Sequence, residues 1–119
     1  MLYFLIYIFL IHYIADFVCQ TNWMALNKSK SNLALGTHVL VYSIVMLIGL
    51  HIALIFHAMS YIWLFVTLNG LLHFITDYIT SRMSAHFWIT EKRSFFWWTI
   101  GCDQWLHQVT LIVLTALLL

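Results

Sequence analysis

The sequence has no proline, four glycines, and only five basic and four acidic residues among 119. Charged residues make up 8% of the chain and hydrophobic ones 64%, a balance that no water-soluble globule of this size could spread over its surface. The composition therefore predicts a membrane protein. Long apolar runs without proline favour helices over a barrel, whose strands would be short and alternating. Five basic residues make no patch that could hold nucleic acid. Cys19 and Cys102 form neither a disulfide framework nor a Cys-x-x-Cys metal knuckle and read as free thiols. The first residues lack the basic start and small-residue cleavage site of a signal peptide, so the apolar run there is expected to stay as a first span. No linker, repeat or second domain is visible.

Polar breaks divide the apolar runs into helices at about residues 2–23, 33–57, 60–82 and 95–118, each near the roughly 20 residues a bilayer core requires. The expected fold is all-α: a single domain over residues 1–119, a four-span up-and-down bundle. The breaks are "NKSKSN" (27–32), a tight polar turn at His57–Ser60, and "SRMSAHFWITEKRS" (81–94). The last is long enough for a short interfacial helix over about 83–94. Lys28, Lys30, Arg82, Lys92 and Arg93 all fall in the first and third breaks. By the positive-inside rule those loops face the cytoplasm and both termini lie opposite. Trp23, Trp88, Trp97 and Trp98 mark the same boundary as an aromatic belt.

Within these greasy runs sit polar residues at helical spacing. Helix 1 carries His12, Asp16 and Gln20; helix 2 opens with His38; helix 3 has Asn69, His73 and Asp77 in "NGLLHFITDY"; helix 4 has Asp103, Gln104 and His107 in "DQWLH". Residues four apart share a helix face, so each set forms a stripe. An ionisable residue in hydrocarbon costs roughly 2.5 to 3.5 kcal/mol, which makes such stripes candidates for a site.

Up-and-down topology brings all the stripes to the cytoplasmic half. Counted inward at about 1.5 Å per residue, His12, His73 and His107 lie roughly 13 to 17 Å deep, and Asp16, Asp77 and Asp103 roughly 7 to 11 Å, with His38 among them. Three carboxylates crowded in low dielectric resist ionisation unless a cation joins them. The seven side chains His12, Asp16, His38, His73, Asp77, Asp103 and His107 are thus the candidate ligands of a divalent metal, with zinc foremost and iron or manganese alternatives. They exceed the four ligands of one tetrahedral zinc. Some aspartates can instead fix histidine tautomers, or the set can divide between two metals. Gln20, Asn69 and Gln104 are candidate outer partners, with interhelical hydrogen bonding as the plainer alternative. Gln104 lies about 100° around the helix from Asp103.

Other polar residues read as inert. His51 and His57 lie toward the opposite side and His86 in the interfacial loop. Cys19 shares the face of His12 and fits a small packed residue better than a ligand. Gly70 and Gly101 are expected to let helices approach closely.

The joint spacing H-x-x-x-D-F-x-x-Q, a histidine opening helix 2, N-x-x-x-H-x-x-x-D-Y and D-Q-x-x-H resembles a family of small bacterial and phage integral membrane proteins classed as domain of unknown function 3307. The matching positions are His12, Asp16, Phe17, Gln20, His38, Asn69, His73, Asp77, Tyr78, Asp103, Gln104 and His107. The resemblance brings no activity with it. In arrangement, without shared motifs, the set is also similar to membrane-embedded zinc hydrolases such as ceramidase-like proteins. Lipid phosphatases share the His-x-x-x-Asp spacing, but their arginine-containing motifs are missing.

The function expected is a metal-dependent hydrolase of a lipid or membrane-borne substrate. His12, His73 and His107 hold the metal, the pKa of a bound water falls toward 7, and Asp77 or Asp103 takes its proton. Alternatives are a metal- or proton-handling transport or sensing module, a bis-histidine haem protein, which leaves three aspartates unexplained, and a phage-type exclusion protein. Expected partners are the bilayer, a lipid or membrane-protein substrate and further copies of the chain, and no nucleic acid.

Overall fold

The computed structural model describes residues 2–55 and 59–119. It is helical throughout, with no strand among the described residues. Helix α1 spans Leu2–Tyr13 and runs into a π-helical turn at Ile14–Val18, closed by the Cys19 amide donating to the Ile14 carbonyl at 2.9 Å. Then follow α2 (Asn22–Asn27), α3 (Asn32–Ala53), α4 (Met59–Ile89) and α5 (Arg93–Leu118). Helices α3 and α4 are long and apolar enough to cross a membrane, and Leu2–Val18 is a shorter apolar helix. In α5 the polar run Asp103, Gln104, His107 and Gln108 dilutes an otherwise apolar helix.

Two helix ends differ from the sequence expectation. The first long helix stops at Val18, and α2 begins a new short helix at Asn22. Thr21 caps it, its hydroxyl accepting from the Met24 amide at 3.3 Å, and Ser31 caps α3 in the same way through the Ala34 amide. Hydroxyl caps of this kind satisfy amides that a helix start leaves bare. The supposed interfacial segment after residue 82 is instead the last turns of α4, which continues to Ile89. Serine, arginine and histidine make that stretch polar without breaking a helix, since neither proline nor glycine interrupts it. The turn at His57–Ser60 and the end of the second predicted helix fall partly on residues 56–58, outside the described residues, as does His57.

At the end of α4 the chain reverses through a Schellman motif. The Lys92 amide donates to Phe87 and the Glu91 amide to Trp88, with Glu91 in the left-handed region at φ 57°. This three-residue turn sets α5 antiparallel to α4. Helix α3 packs on the other side of α4, close enough that a Cβ added at Gly70 would lie 2.6 Å from Ser43 Oγ. Gly101 has no such neighbour, so it is not a point of close helix approach.

The bundle has two unlike halves. One is an apolar core of Ile8, Ile11, Met46, Leu50, Ile62, Phe65, Val66, Leu111 and Leu114, with Tyr7 of α1 donating to the Gly49 carbonyl of α3 at 2.9 Å. The other half, nearer α2 and the α4–α5 turn, buries His12, Asp16, His38, Asn69, His73, Asp77 and His107. Outward, the helices present large apolar side chains such as Leu40, Ile48, Trp63 and Trp105.

Candidate metal centre

Helical periodicity explains why these side chains meet. In α4, Asn69, His73, Asp77 and Thr80 share the buried face; in α3, His38 and Tyr42 continue the stripe of Met46 and Leu50. Asp16 is aimed by the π-turn rather than by regular α-helix, and such turns are frequent where a helix serves a site.

The Nε2 atoms of His38 and His73 approach to 3.2 Å. Asp16 Oδ1 lies 3.1 Å from the first and 3.5 Å from the second, and Asp77 Oδ2 lies 3.4 and 3.7 Å from the same two atoms. All four residues are buried and offer one ligand atom each within 4.8 Å of one another. Zinc bound to nitrogen and oxygen at about 2.0–2.2 Å sets tetrahedral edges of about 3.3–3.6 Å. These five separations scatter around that edge length, so the four residues could hold a metal ion.

Asp77 faces two ways. While Oδ2 looks to His38 and His73, Oδ1 lies 3.0 Å from His107 Nε2. His107 Nε2 is also 3.5 Å from Asp103 Oδ1, and Asp77, Asp103 and His107 make a second group with metal-ligand spacing. The Thr80 hydroxyl donates to Asp103 Oδ1, and Gln104 Nε2 donates to Asp103 Oδ2 at 3.1 Å and to Asp16 Oδ2 at 3.4 Å.

His12 belongs to neither group. Asn69 donates to the Tyr42 hydroxyl at 2.8 Å, and that hydroxyl lies 3.1 Å from His12 Nδ1. With the amide donating to it, Tyr42 can donate onward to Nδ1, which leaves the proton of a neutral imidazole on Nε2. That Nε2 has no hydrogen-bond partner and lies 3.8 Å from Asp16 Oδ2. The separate layers of imidazoles and carboxylates expected from helix depth are therefore merged: His38 and His73 touch Asp16 and Asp77 directly. The His73 ring is held by stacking, its centroid 4.0 Å from Tyr42 and 4.1 Å from His107.

Two members were invisible in the sequence. Tyr42 follows His38 by four residues, and that spacing was the available signal. Lys28 sits in the turn between α2 and α3, and its Nζ bonds Asp77 Oδ2 at 2.9 Å. It is the one lysine or arginine paired to a carboxylate among the described residues. Burial draws its ammonium toward neutrality, but the charges of Asp77, Asp16 and Asp103 outweigh burial and hold its pKa above the ordinary lysine value. No spacing rule marks a loop lysine for this.

A cavity of about 560 Å³ opens beside the cluster. Asp16, Gln20, Lys28, Asp103 and Gln104 form its polar end, and Phe17, Leu26, Trp88, Phe96 and Ile100 its apolar wall. Gln20 Oε1 and Ser81 Oγ, both on its lining, are buried without a hydrogen-bond partner. His51 and His86 are exposed and apart from the site. Neither cysteine is in a disulfide.

These features define a class: a helical protein with helices suited to a membrane and a buried His/Asp cluster able to hold a metal ion. The chain belongs to the family described as Protein of unknown function (DUF3307), which matches residues 4–119. No curated protein and no solved structure matches it.

Proposed function

We propose that this chain is a four-span integral membrane protein, N-out and C-out in a bacterial inner membrane, whose His/Asp cluster is the centre of a metal-dependent hydrolase of a lipid or membrane-borne substrate. The observation that carries the metal reading is the set of near-tetrahedral separations among Asp16, His38, His73 and Asp77. Charge supports it. Asp16, Asp77 and Asp103 bring three negative charges against one from Lys28, and a divalent ion offsets the remaining two.

The membrane reading draws on the apolar outer faces and on the crowding of basic residues at one end of the bundle. Lys28 and Lys30 lie before α3, Arg82 bonds Asn32 at 2.8 Å, and Lys92 and Arg93 lie at the α4–α5 turn. By the positive-inside rule that end faces the cytoplasm.

A bound divalent ion supplies Lewis acidity and an activated water. The residues divide the remaining work. Asp77, with 2% of its side chain exposed, is committed to His38, His107 and Lys28, whereas Asp103, 17% exposed, borders the cavity. Asp103 is therefore the proton acceptor, oriented by Thr80 and Gln104. The apolar wall excludes water and seats the greasy part of a substrate. A transport reading meets the fully buried Ile8, Met46, Leu50, Ile62 and Phe65, which block a polar route through the other half among the described residues.

The test is elemental analysis of detergent-purified protein beside a His73→Ala variant, followed by incubation of metal-loaded proteoliposomes with lipid esters and amides. Bound divalent metal in the parent, its loss in the variant, and cleavage that requires Asp103 are the expected results. A metal-free parent would end the metal reading; ion flux without cleavage would replace hydrolysis by transport.

A further inference from the structure

The four-ligand group of Asp16, His38, His73 and Asp77 has a defect as a reaction centre. Zinc sites closed by four protein ligands are the structural kind, while catalytic ones keep a position open for water or substrate. The open position lies next door. Asp77 Oδ1 and His107 Nε2 are 3.0 Å apart, with Asp103 Oδ1 at 3.5 Å from the same nitrogen. That group has three protein ligands, one fewer than the first, and Asp103 borders the cavity as Asp16 of the first group does.

We propose that the centre binds two divalent cations bridged by Asp77, a closed one on Asp16, His38 and His73 and an open one on Asp103 and His107 that faces the cavity. This rests on the metal reading above and adds the number of ions, their ligands, and which of them meets substrate.

Three observations carry it. The two oxygens of one fully buried carboxylate address different sets of nitrogens, which is how a carboxylate spans a pair of metals. His107 comes from α5 and His38 from α3, and Asp77 of α4 contacts both. The two groups with metal-ligand spacing, Asp16, His38, His73 and Asp77, and Asp77, Asp103 and His107, have Asp77 in common. Asp103 presents Oδ1 to His107, while its Oδ2 accepts from Gln104. The unpartnered Nε2 of buried His12, whose ring centroid is 5.5 Å from that of His107, adds a hydrogen-bond donor beside the pair.

The experiment is metal counting with Mn²⁺ as the probe, on full-length protein in detergent. The parent should hold two ions per chain and give the exchange-coupled electron paramagnetic resonance signal of a manganese pair. His107→Gln should hold one, with the uncoupled signal of an isolated ion, and Asp103→Asn should weaken only the second ion, by roughly tenfold or more. Circular dichroism and gel filtration of both variants report whether the fold is kept, and an Asp103→Glu variant that restores the second ion guards against misfolding. One uncoupled ion in the parent, unchanged by His107→Gln, overturns the proposal while leaving the single-metal reading standing. No ion in the parent overturns both.

Discussion

The two halves of this bundle are built from the same helices by opposite rules. In the apolar half, Ile8, Met46, Leu50, Ile62, Phe65 and Leu111 interlock by shape, and each contact is small and replaceable. In the polar half, His12, Asp16, His38, His73, Asp77 and His107 are each matched by specific atoms at 3.0–3.8 Å, and a missing partner leaves charge stranded in low dielectric. The first half gives the helices a place to pack. The second spends part of that stability on a buried cluster able to hold a metal ion.

The contrast is broken most sharply by exchanging losses between the halves. Asp77→Asn removes the carboxylate that joins both ligand groups and Lys28. It should reduce metal affinity by more than the roughly 10- to 100-fold that altering an outer partner costs, and destabilise the apoprotein by about 3 kcal/mol. Phe65→Ala should cost a similar amount, about 3 kcal/mol, through lost packing, yet leave metal content unchanged. Thermal unfolding in detergent together with elemental analysis checks both; equal metal loss in the two variants would erase the division between the halves.

A smaller effect sharpens the seam between α3 and α4. Gly70→Ala should destabilise by about 1 to 2 kcal/mol, because Ser43 Oγ stands 2.6 Å from the new Cβ. Adding Ser43→Ala should recover most of it, and failure to recover would show that backbone, not the hydroxyl, is what the glycine accommodates. The smallest effect lies outside both halves. Glu91 occupies a left-handed position that suits glycine, so Glu91→Gly should raise stability by about 1 kcal/mol without touching metal binding.

Much of this site was legible because helices repeat. His73 and Asp77, His12 and Asp16, and Asp103 and His107 are each four residues apart, and that interval alone puts each pair on one face. Asn69 and Gln104, expected as outer partners or as interhelical hydrogen bonds, bond Tyr42 and the Asp16 and Asp103 carboxylates respectively. What periodicity could not give was identity of contact. It ranked His12 with His73 and His107 as ligands, but the Tyr42 hydroxyl beside Nδ1 gives His12 a different set of neighbours. It offered nothing for Lys28, which reaches Asp77 across 49 residues from a turn. In the fold, helical character was plain from composition, while the ends were not. A helix ends where its last carbonyls find other partners, and neither the π-turn before Cys19 nor the Schellman turn at Glu91 carries glycine or proline to announce it.

The π-turn at Ile14–Val18 has one more implication. It lodges one extra residue between the part of α1 gripped by Gly49 and the carboxylate delivered to His38. Were that residue squeezed out into ordinary α-helix, everything on one side would rotate by about 100° relative to the other. Asp16 would then swing off the bundle axis. The amino-terminal helix thus works as an indexing pawl, clicked to the angular setting at which the Tyr7 anchor and the Asp16–His38 contact coincide.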